Sequence, residues 1–146
     1  MSQAVPVIAI DGPSGSGKGT IARRVAAELG YHLLDSGALY RLTALAAQNE
    51  GICLDDAKAL ARVAAGLDIH FGSNASGEEQ ILLNGADVTE QVRTEEAGAG
   101  ASRVAALQPV RDALLGLQRT FRKPPGLVAD GRDMGTHVFT DAALKV

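Results

Sequence analysis

Residues 5–20 read VPVIAIDGPSGSGKGT, and this stretch predicts the architecture of the chain. Its first half is a nearly continuous apolar run of β-branched residues, which is typical of a strand buried on both faces of a parallel sheet. Its second half is a glycine-rich loop that reaches Lys18, after which apolar residues recur at helical spacing, namely Ile21, Val25, Ala26 and Leu29. Gly30 follows as a helix stop. The order strand, glycine loop, helix is therefore predicted.

The loop from Gly12 to Lys18 matches the pattern GxxxxGK, in the strand-to-helix context that this pattern requires. Glycines let backbone N–H groups turn inward around a polyphosphate, and the helix N-terminus adds partial positive charge. Lys18 is expected to reach the β and γ phosphates. The strict pattern has Ser or Thr where this chain has Gly19, so either Ser16 or Thr20 supplies the hydroxyl nearest to magnesium, directly or through water. The alternative, a glycine-rich turn with a chance lysine, is disfavoured by the flanking elements.

Strand and helix patterns continue beyond the loop and return near the end of the chain. Residues 31–34 predict a second strand and residues 38–49 a helix, while residues 127–129 and 144–146 predict two further strands. In a parallel sheet of these strands the carboxyl ends lie on one edge. Ligands are expected at that edge, beside Gly12, Asp35 and Asp130.

The middle of the chain has a different pattern. Asp55 is expected to cap a short helix that ends near residue 63, and residues 67–89 alternate and turn like a small antiparallel meander. Thr94 predicts a helix start, and Pro109 suits the first turn of another helix. The predicted fold is α/β: a parallel sheet of the P-loop NTPase type flanked by helices, comprising residues 1–54 and 106–146, with a small inserted lobe at 55–105 that contains the meander.

Composition excludes some functions. A net charge of -3 and a pI near 5.5 provide no general attraction to nucleic acid polymers, so an anion must be held by a local group of residues. The single cysteine, Cys53, excludes an intrachain disulfide and is expected to be a buried thiol. The sequence shows neither a signal peptide nor a long apolar run, which favours a cytoplasmic protein without a membrane partner.

Five segments together resemble a known family. GPSGSGKGT at 12–20 resembles the P-loop of nucleoside monophosphate kinases. LLDSGALYR at 33–41, DVTEQVRTEE at 87–96, ASRVAALQPVRDALL at 101–115 and ADGRDMGT at 129–136 are similar, in order and spacing, to bacterial cytidylate kinases. The resemblance covers essentially the whole chain. Two departures are Thr140, where the family usually has proline, and the end at Val146, beyond which the family's chains continue into an arginine-rich lid, ribose contacts and much of the adenine pocket.

The resemblance implies a reaction and a set of site residues. The reaction is transfer of the γ-phosphoryl group of ATP, with Mg2+, to CMP or dCMP by a monomeric enzyme. The resemblance assigns catalytic roles to Lys18, Arg41 and Arg132, the arginines clamping the acceptor phosphate. ATP binding falls to Gly12, Pro13, Ser14, Gly15, Ser16, Gly17, Lys18, Gly19 and Thr20. Acceptor binding falls to Ser36, Tyr40, Arg41, Ser102, Arg111, Arg132 and Asp133, with Ser102, Arg111 and Asp133 reading the base. Asp130 and, through water, Thr20 are the expected magnesium residues.

Two other functions remain open on the sequence alone. A P-loop kinase for another small acceptor needs Lys18 but not the base-reading residues. A nucleotide-binding module without turnover is the second alternative, because the chain stops before the family's lid, and the 146-residue chain is accordingly expected to have little activity by itself. A GTPase requires an NKxD guanine reader, which the sequence lacks.

Overall fold

A computed structural model describes residues 5–11, 18–131, 138–139, 142 and 144–145 of the chain. In chain order its elements are β1 (Val7–Asp11), α1 (Lys18–Leu29), β2 (His32–Asp35), α2 (Ser36–Asn49), α3 (Ala57–Ala65), β3 (Ile69–Ser73), β4 (Glu79–Leu83), β5 (Ala86–Asp87), α4 (Thr89–Val92), α5 (Glu95–Ala105), α6 (Gln108–Thr120), β6 (Leu127–Gly131) and β7 (Leu144–Lys145). The chain divides into two compact units, Met1–Gly37 with Gln118–Val146, and Ala38–Leu117.

The first unit contains a parallel sheet with the strand order β2-β6-β1-β7. Its register pairs Asp35 with Asp130 and Asp11 with Gly131, so the carboxyl ends of β2, β6 and β1 meet at one edge. The predicted parallel sheet, its four strands and the shared edge are confirmed. β6 lies between β2 and β1 and is buried throughout, as its apolar composition requires.

Helix α1 packs on the first sheet through a face of small residues. Ala22 and Ala26 are buried against Ile10 and Val128. The helix predicted from the spacing of Ile21, Val25, Ala26 and Leu29 is confirmed, but Ile21 is 56% exposed and Leu29 48% exposed. The helix has two neighbouring rows of apolar residues. The row with Ala22 and Ala26 faces the strands, because small side chains permit a close approach of helix to sheet.

The second unit contains a three-stranded antiparallel sheet of order β3-β4-β5, and this confirms the predicted meander. Its tight turn between β4 and β5 is formed by Asn84 and Gly85, whose φ angles are 52° and 84°. Positive φ at both positions is the geometry for which Asn-Gly is preferred. Helix α3 is capped by Asp56, which accepts from the N–H of Ala59, so the predicted cap at Asp55 is off by one residue.

Helix α5 begins as predicted at Thr94, whose side chain accepts a hydrogen bond from the N–H of Ala97. It approaches α2 so closely that a Cβ atom at Gly100 would lie 2.9 Å from the Cβ of Ala44. A core of fully buried aliphatic side chains fills the second unit, including Leu39, Leu42, Leu60, Val104, Val110 and Leu114.

The structure also bears on the predictions for Cys53, for the inserted lobe and for a membrane span. Cys53 is exposed, so the expected buried thiol is wrong; the residue lies in the irregular segment before α3 rather than in a packed element. The predicted lobe of residues 55–105 falls within the second unit, and its exact boundaries stay a prediction. Within the described ranges, no helix has the length and apolar character needed to span a bilayer.

Candidate active site

The first part of the candidate site lies where α1 begins. Residues 12–17 of the glycine loop lie outside the described residues, as do Arg132 and Asp133. Lys18 opens the helix, Gly19 follows it, and Thr20 is exposed on the first turn. A Cβ atom at Gly19 would lie 3.5 Å from Oδ2 of Asp130. The structure therefore brings the carboxylate of β6 to the N-terminus of α1, directly after the glycine loop.

The carboxylates at this edge suit a magnesium ion bound together with phosphate. Asp130 is only 5% exposed, and its register partner on β2 is Asp35. Mg2+ usually takes one or two carboxylates and completes its shell with phosphate oxygens and water. Among the described residues, no group of three or more His, Cys, Asp or Glu side chains could hold a metal ion alone. A magnesium ion bound beside Asp130 would complete its shell with nucleotide phosphate oxygens and water.

Ser36, the first residue of α2, takes part in a buried polar pair. Its hydroxyl donates a 2.9 Å hydrogen bond to Oε1 of Gln118, and both side chains are buried. Gln118 was not predicted from the sequence. The available signal was its position four residues after Leu114 on the apolar face of α6, because a polar residue on a buried face normally has a partner.

Arg41 is fixed against the backbone of the second unit. Its Nη1 donates to the carbonyl oxygens of Val92 at 2.8 Å and Thr94 at 3.2 Å. The other side of the guanidinium faces Gly98, where a Cβ atom would lie 3.1 Å from Nη2. Within the described part of the chain, neither Nε nor Nη2 has a hydrogen-bond partner. The described residues therefore leave Nε and Nη2 of Arg41 as donors for an anion.

Arg111 is held in a similar way on α6. Its Nη1 donates a 2.8 Å hydrogen bond to the carbonyl of Ala105, and Nη2 donates to Oε1 of Gln108. Gln108 is itself oriented by a 2.7 Å hydrogen bond from Nε2 to Oδ1 of Asp112. Gln108 is a second residue that was not predicted from the sequence. It lies three residues before Arg111 and four before Asp112, and this helical spacing could have indicated that the side chains interact.

Tyr40 and Arg111 lie close enough to interact electrostatically. Burial raises the pKa of the Tyr40 hydroxyl above its usual range, and the positive charge of Arg111 partly opposes that shift. Ser102 lies on α5, where its hydroxyl donates a 3.2 Å hydrogen bond to the carbonyl of Gly98, the residue that contacts Arg41. The second unit therefore contains four of the described residues that were predicted to bind the acceptor, namely Tyr40, Arg41, Ser102 and Arg111.

The sequence model of the family described as "Cytidylate kinase" matches residues 8–146. Three similar proteins carry that same name. Those from Pseudomonas paraeruginosa and Pseudomonas syringae pv. tomato are each 60% identical over 147 residues, and the alignments cover all of this chain and 64% of the relative. The protein from Colwellia psychrerythraea is 56% identical over 146 residues, which are all of this chain and 65% of the relative.

The alignments with these relatives include every described site residue, from Lys18 at the start of α1 to Asp130 at the end of β6. The chain spans about 64% of the length of the first of them. A parallel sheet that follows a GxxxxGK loop, a separate antiparallel sheet and the family match agree with one another. The chain therefore belongs to the cytidylate kinase family.

Proposed function

We propose that the protein transfers the γ-phosphoryl group of ATP to the phosphate of CMP or dCMP. Support comes from relatives that are named cytidylate kinases. The observation in this chain that carries the proposal is the guanidinium of Arg41, which two backbone carbonyls hold at Nη1 while the described residues leave its Nε and Nη2 as donors for an anion. Planar, fixed guanidinium groups bind phosphate oxygens in pairs, which suits the phosphate of a monophosphate acceptor.

The acceptor phosphate would be held by Arg41 together with Arg132. Two guanidinium groups neutralise the two negative charges of a nucleoside monophosphate. Since the acceptor oxygen is already ionised, the reaction needs neither a general base nor a covalent intermediate. Both arginines then act by orienting that oxygen and by stabilising charge in the transition state.

The cytosine base would be read by Ser102, Arg111 and Asp133. Cytosine offers an amino donor beside ring-nitrogen and carbonyl acceptors, so a carboxylate can take the donor and an arginine can serve the acceptors. Arg111 is oriented by Gln108 and by the carbonyl of Ala105. Ser36 and Tyr40 would also belong to the residues that bind the acceptor.

ATP would be bound by Gly12–Thr20, with Lys18 at the β and γ phosphates and Asp130 and Thr20 near the magnesium ion. When bound, Mg2+ neutralises charge on the triphosphate. An oxygen of the acceptor phosphate attacks the γ-phosphorus in line, the bond to the bridging oxygen of the β-phosphate breaks, and ADP leaves. Closure that excludes water would favour the acceptor over hydrolysis. We further propose that the enzyme acts in the cytoplasm as a monomer.

The test is a panel of acceptors on purified protein. Binding of CMP, dCMP, UMP, AMP and GMP is measured by calorimetry, and formation of ADP from ATP is measured with each acceptor. CMP and dCMP should bind most tightly and should stimulate ADP formation most. A preference for AMP or GMP would contradict the assignment of CMP and dCMP as the acceptors. Binding of CMP without any ADP formation would favour a nucleotide-binding module instead.

A further inference from the structure

Helix α5 contains two glycines in its interior, Gly98 and Gly100. Apart from proline, glycine is the least favourable residue for the inside of a helix. Both positions in α5 have close neighbours, so the absence of a side chain allows these neighbours to approach the helix backbone. Each glycine has a different neighbour.

Gly100 makes room for another helix. A Cβ atom there would lie 2.9 Å from the Cβ of Ala44 on α2, and that atom is attached directly to a backbone. Gly98 makes room for a side chain instead. The three atoms nearest to a Cβ at Gly98 belong to the guanidinium of Arg41, at 3.1 Å for Nη2, 3.5 Å for Cζ and 3.6 Å for Nη1.

We propose that Gly98 is a positioning residue for the phosphate clamp: its missing side chain lets the guanidinium of Arg41 lie flat against α5 while Nη1 stays on the carbonyls of Val92 and Thr94. This inference rests on the proposed function, because it assigns Gly98 a role through Arg41. The two hydrogen bonds come from the carbonyls at the end of α4 and at the cap of α5, and Gly98, in the first turn of α5, lies beside the guanidinium. Together they fix one orientation of a long, otherwise flexible side chain.

Fixing this orientation matters because a free arginine loses conformational freedom when it binds an anion. In this unit the hydrogen bonds to Val92 and Thr94 have already restricted the side chain before any ligand binds. A methyl group at Gly98 would lie 3.1 Å from Nη2, so close that the guanidinium would have to shift by a few tenths of an ångström. The guanidinium is the far end of a flexible chain, so it would shift away from α5, which would disturb its alignment with the two carbonyls and the orientation of Nε and Nη2.

This argument separates a positioning role from a structural one. If Gly98 served only for packing, a Cβ atom would collide with a rigid neighbour, as at Gly100, and the fold would lose stability. Since the neighbour is a movable side chain, Gly98→Ala should keep or raise the melting temperature through better helix propensity. Gly116→Ala is the matched control, because Gly116 is also inside a helix and a Cβ atom there meets nothing within 4 Å.

The experiment compares G98A and G116A in purified protein by calorimetric titration with CMP and with ATP, beside thermal melting. Both variants should melt at or a few degrees above the unmodified protein. G98A should bind CMP roughly tenfold more weakly, because a charge-assisted contact is lost, and should bind ATP unchanged. G116A should bind both nucleotides normally. In turnover, G98A should raise the KM for CMP more than it changes the KM for ATP.

A double-mutant cycle with Arg41→Ala distinguishes the possible failures. The inference expects G98A to weaken CMP binding strongly when Arg41 is present and hardly at all in the R41A protein. If R41A weakens CMP binding while G98A does not, the role of Gly98 is overturned and the clamp survives. If R41A itself leaves CMP binding unchanged, the clamp and the role of Gly98 both fall. If G98A melts well below G116A in both backgrounds, Gly98 is a packing residue and the inference is wrong.

Discussion

The hydroxyl of Ser36 donates a 2.9 Å hydrogen bond to Oε1 of Gln118 inside the first unit, where the two residues are 8% and 5% exposed. Sequence reasoning expected Ser36 to line the acceptor pocket. In the structure its hydroxyl also satisfies a buried amide, so replacing it should affect stability as well as any ligand. Leaving a buried acceptor without a donor removes the hydrogen bond and still requires the acceptor to be desolvated.

Ser36→Ala should lower the free energy of unfolding by about 1–3 kcal/mol, because the buried oxygen of Gln118 loses its donor. Combining it with Gln118→Leu should restore part of that loss, since replacing both partners by apolar groups leaves nothing unsatisfied. Urea unfolding of the single and double variants measures both effects. Equal stability of the S36A variant and the unmodified protein would show that the Ser36–Gln118 bond contributes nothing.

Gly100→Ala should destabilise the second unit, in contrast to Gly98→Ala. The new Cβ would lie 2.9 Å from the Cβ of Ala44, and neither atom can move without its backbone. Overpacking of this kind usually costs about 1–3 kcal/mol, more than the gain of up to about 1 kcal/mol in helix propensity. Thermal melting should show a loss that Ala44→Gly relieves. A G100A protein as stable as G116A would contradict the close packing of α5 on α2.

Much of the fold could be predicted because local patterns and long-range packing agree. The apolar run of β6 and the Asn84-Gly85 turn have few alternatives, so strand and turn were correct. The face of α1 was harder, since Ile21 and Ala22 are adjacent and both registers are apolar. Which of these residues face the sheet depends on the distance between α1 and the sheet, and that distance is set by tertiary packing.

The candidate site was predictable to a different extent. Residues such as Arg41 and Arg111 were identified from the strings around them, because an isolated arginine on a helix is usually solvated. The groups that hold these arginines could not be found that way. Arg41 is held by the carbonyls of Val92 and Thr94, and a backbone carbonyl leaves no mark in the sequence. Gln108 was detectable only by its helical spacing from Arg111.

Replacing Gln108 should weaken base recognition while leaving ATP binding intact. Gln108→Leu removes the acceptor that holds Nη2 of Arg111, so that among the described residues the guanidinium keeps its hydrogen bond to the carbonyl of Ala105 alone. CMP affinity should fall roughly threefold to tenfold, and the preference for CMP over UMP should shrink. Gln108→Glu keeps an acceptor for Arg111 and serves as the control. Calorimetric titration with CMP and with UMP measures both effects. Unchanged CMP affinity in Q108L would show that Gln108 has no role in base recognition.

Lys18→Ala should abolish most turnover without unfolding the protein. The lysine ends the GxxxxGK pattern and opens α1, so its loss should remove charge stabilisation of the transferring phosphoryl group. The value of kcat/KM for ATP should fall roughly a hundredfold or more, as is typical for removing one such group. Arg24→Ala, an exposed cation on the same helix, is the control and should stay near normal. Near-normal turnover of K18A would remove the assignment of the loop to phosphate binding.

The pH dependence of Tyr40 ionisation should report its electrostatic interaction with Arg111. Burial raises the pKa of the Tyr40 hydroxyl, and the Arg111 charge lowers it, so the net shift is upward. The unfolded chain then loses this proton at a lower pH than the folded chain. Stability from this group is full below the ordinary tyrosine pKa of about 10 and is lost as pH rises through the folded value.

Removing Arg111 should move that titration further upward, because only burial remains to act on the hydroxyl. The chain has 2 tyrosines, so a Tyr31→Phe background leaves Tyr40 as the sole reporter of phenolate absorbance. In that background Arg111→Ala should raise the pKa of Tyr40 further, whereas Arg119→Ala, a charge change near the end of the same helix, should leave it in place. Tyr40→Phe should also reduce the loss of stability at alkaline pH. A pKa that falls or stays constant in R111A would show that the two side chains do not interact, and Arg111 would then lose its place beside Tyr40 in the proposed acceptor pocket.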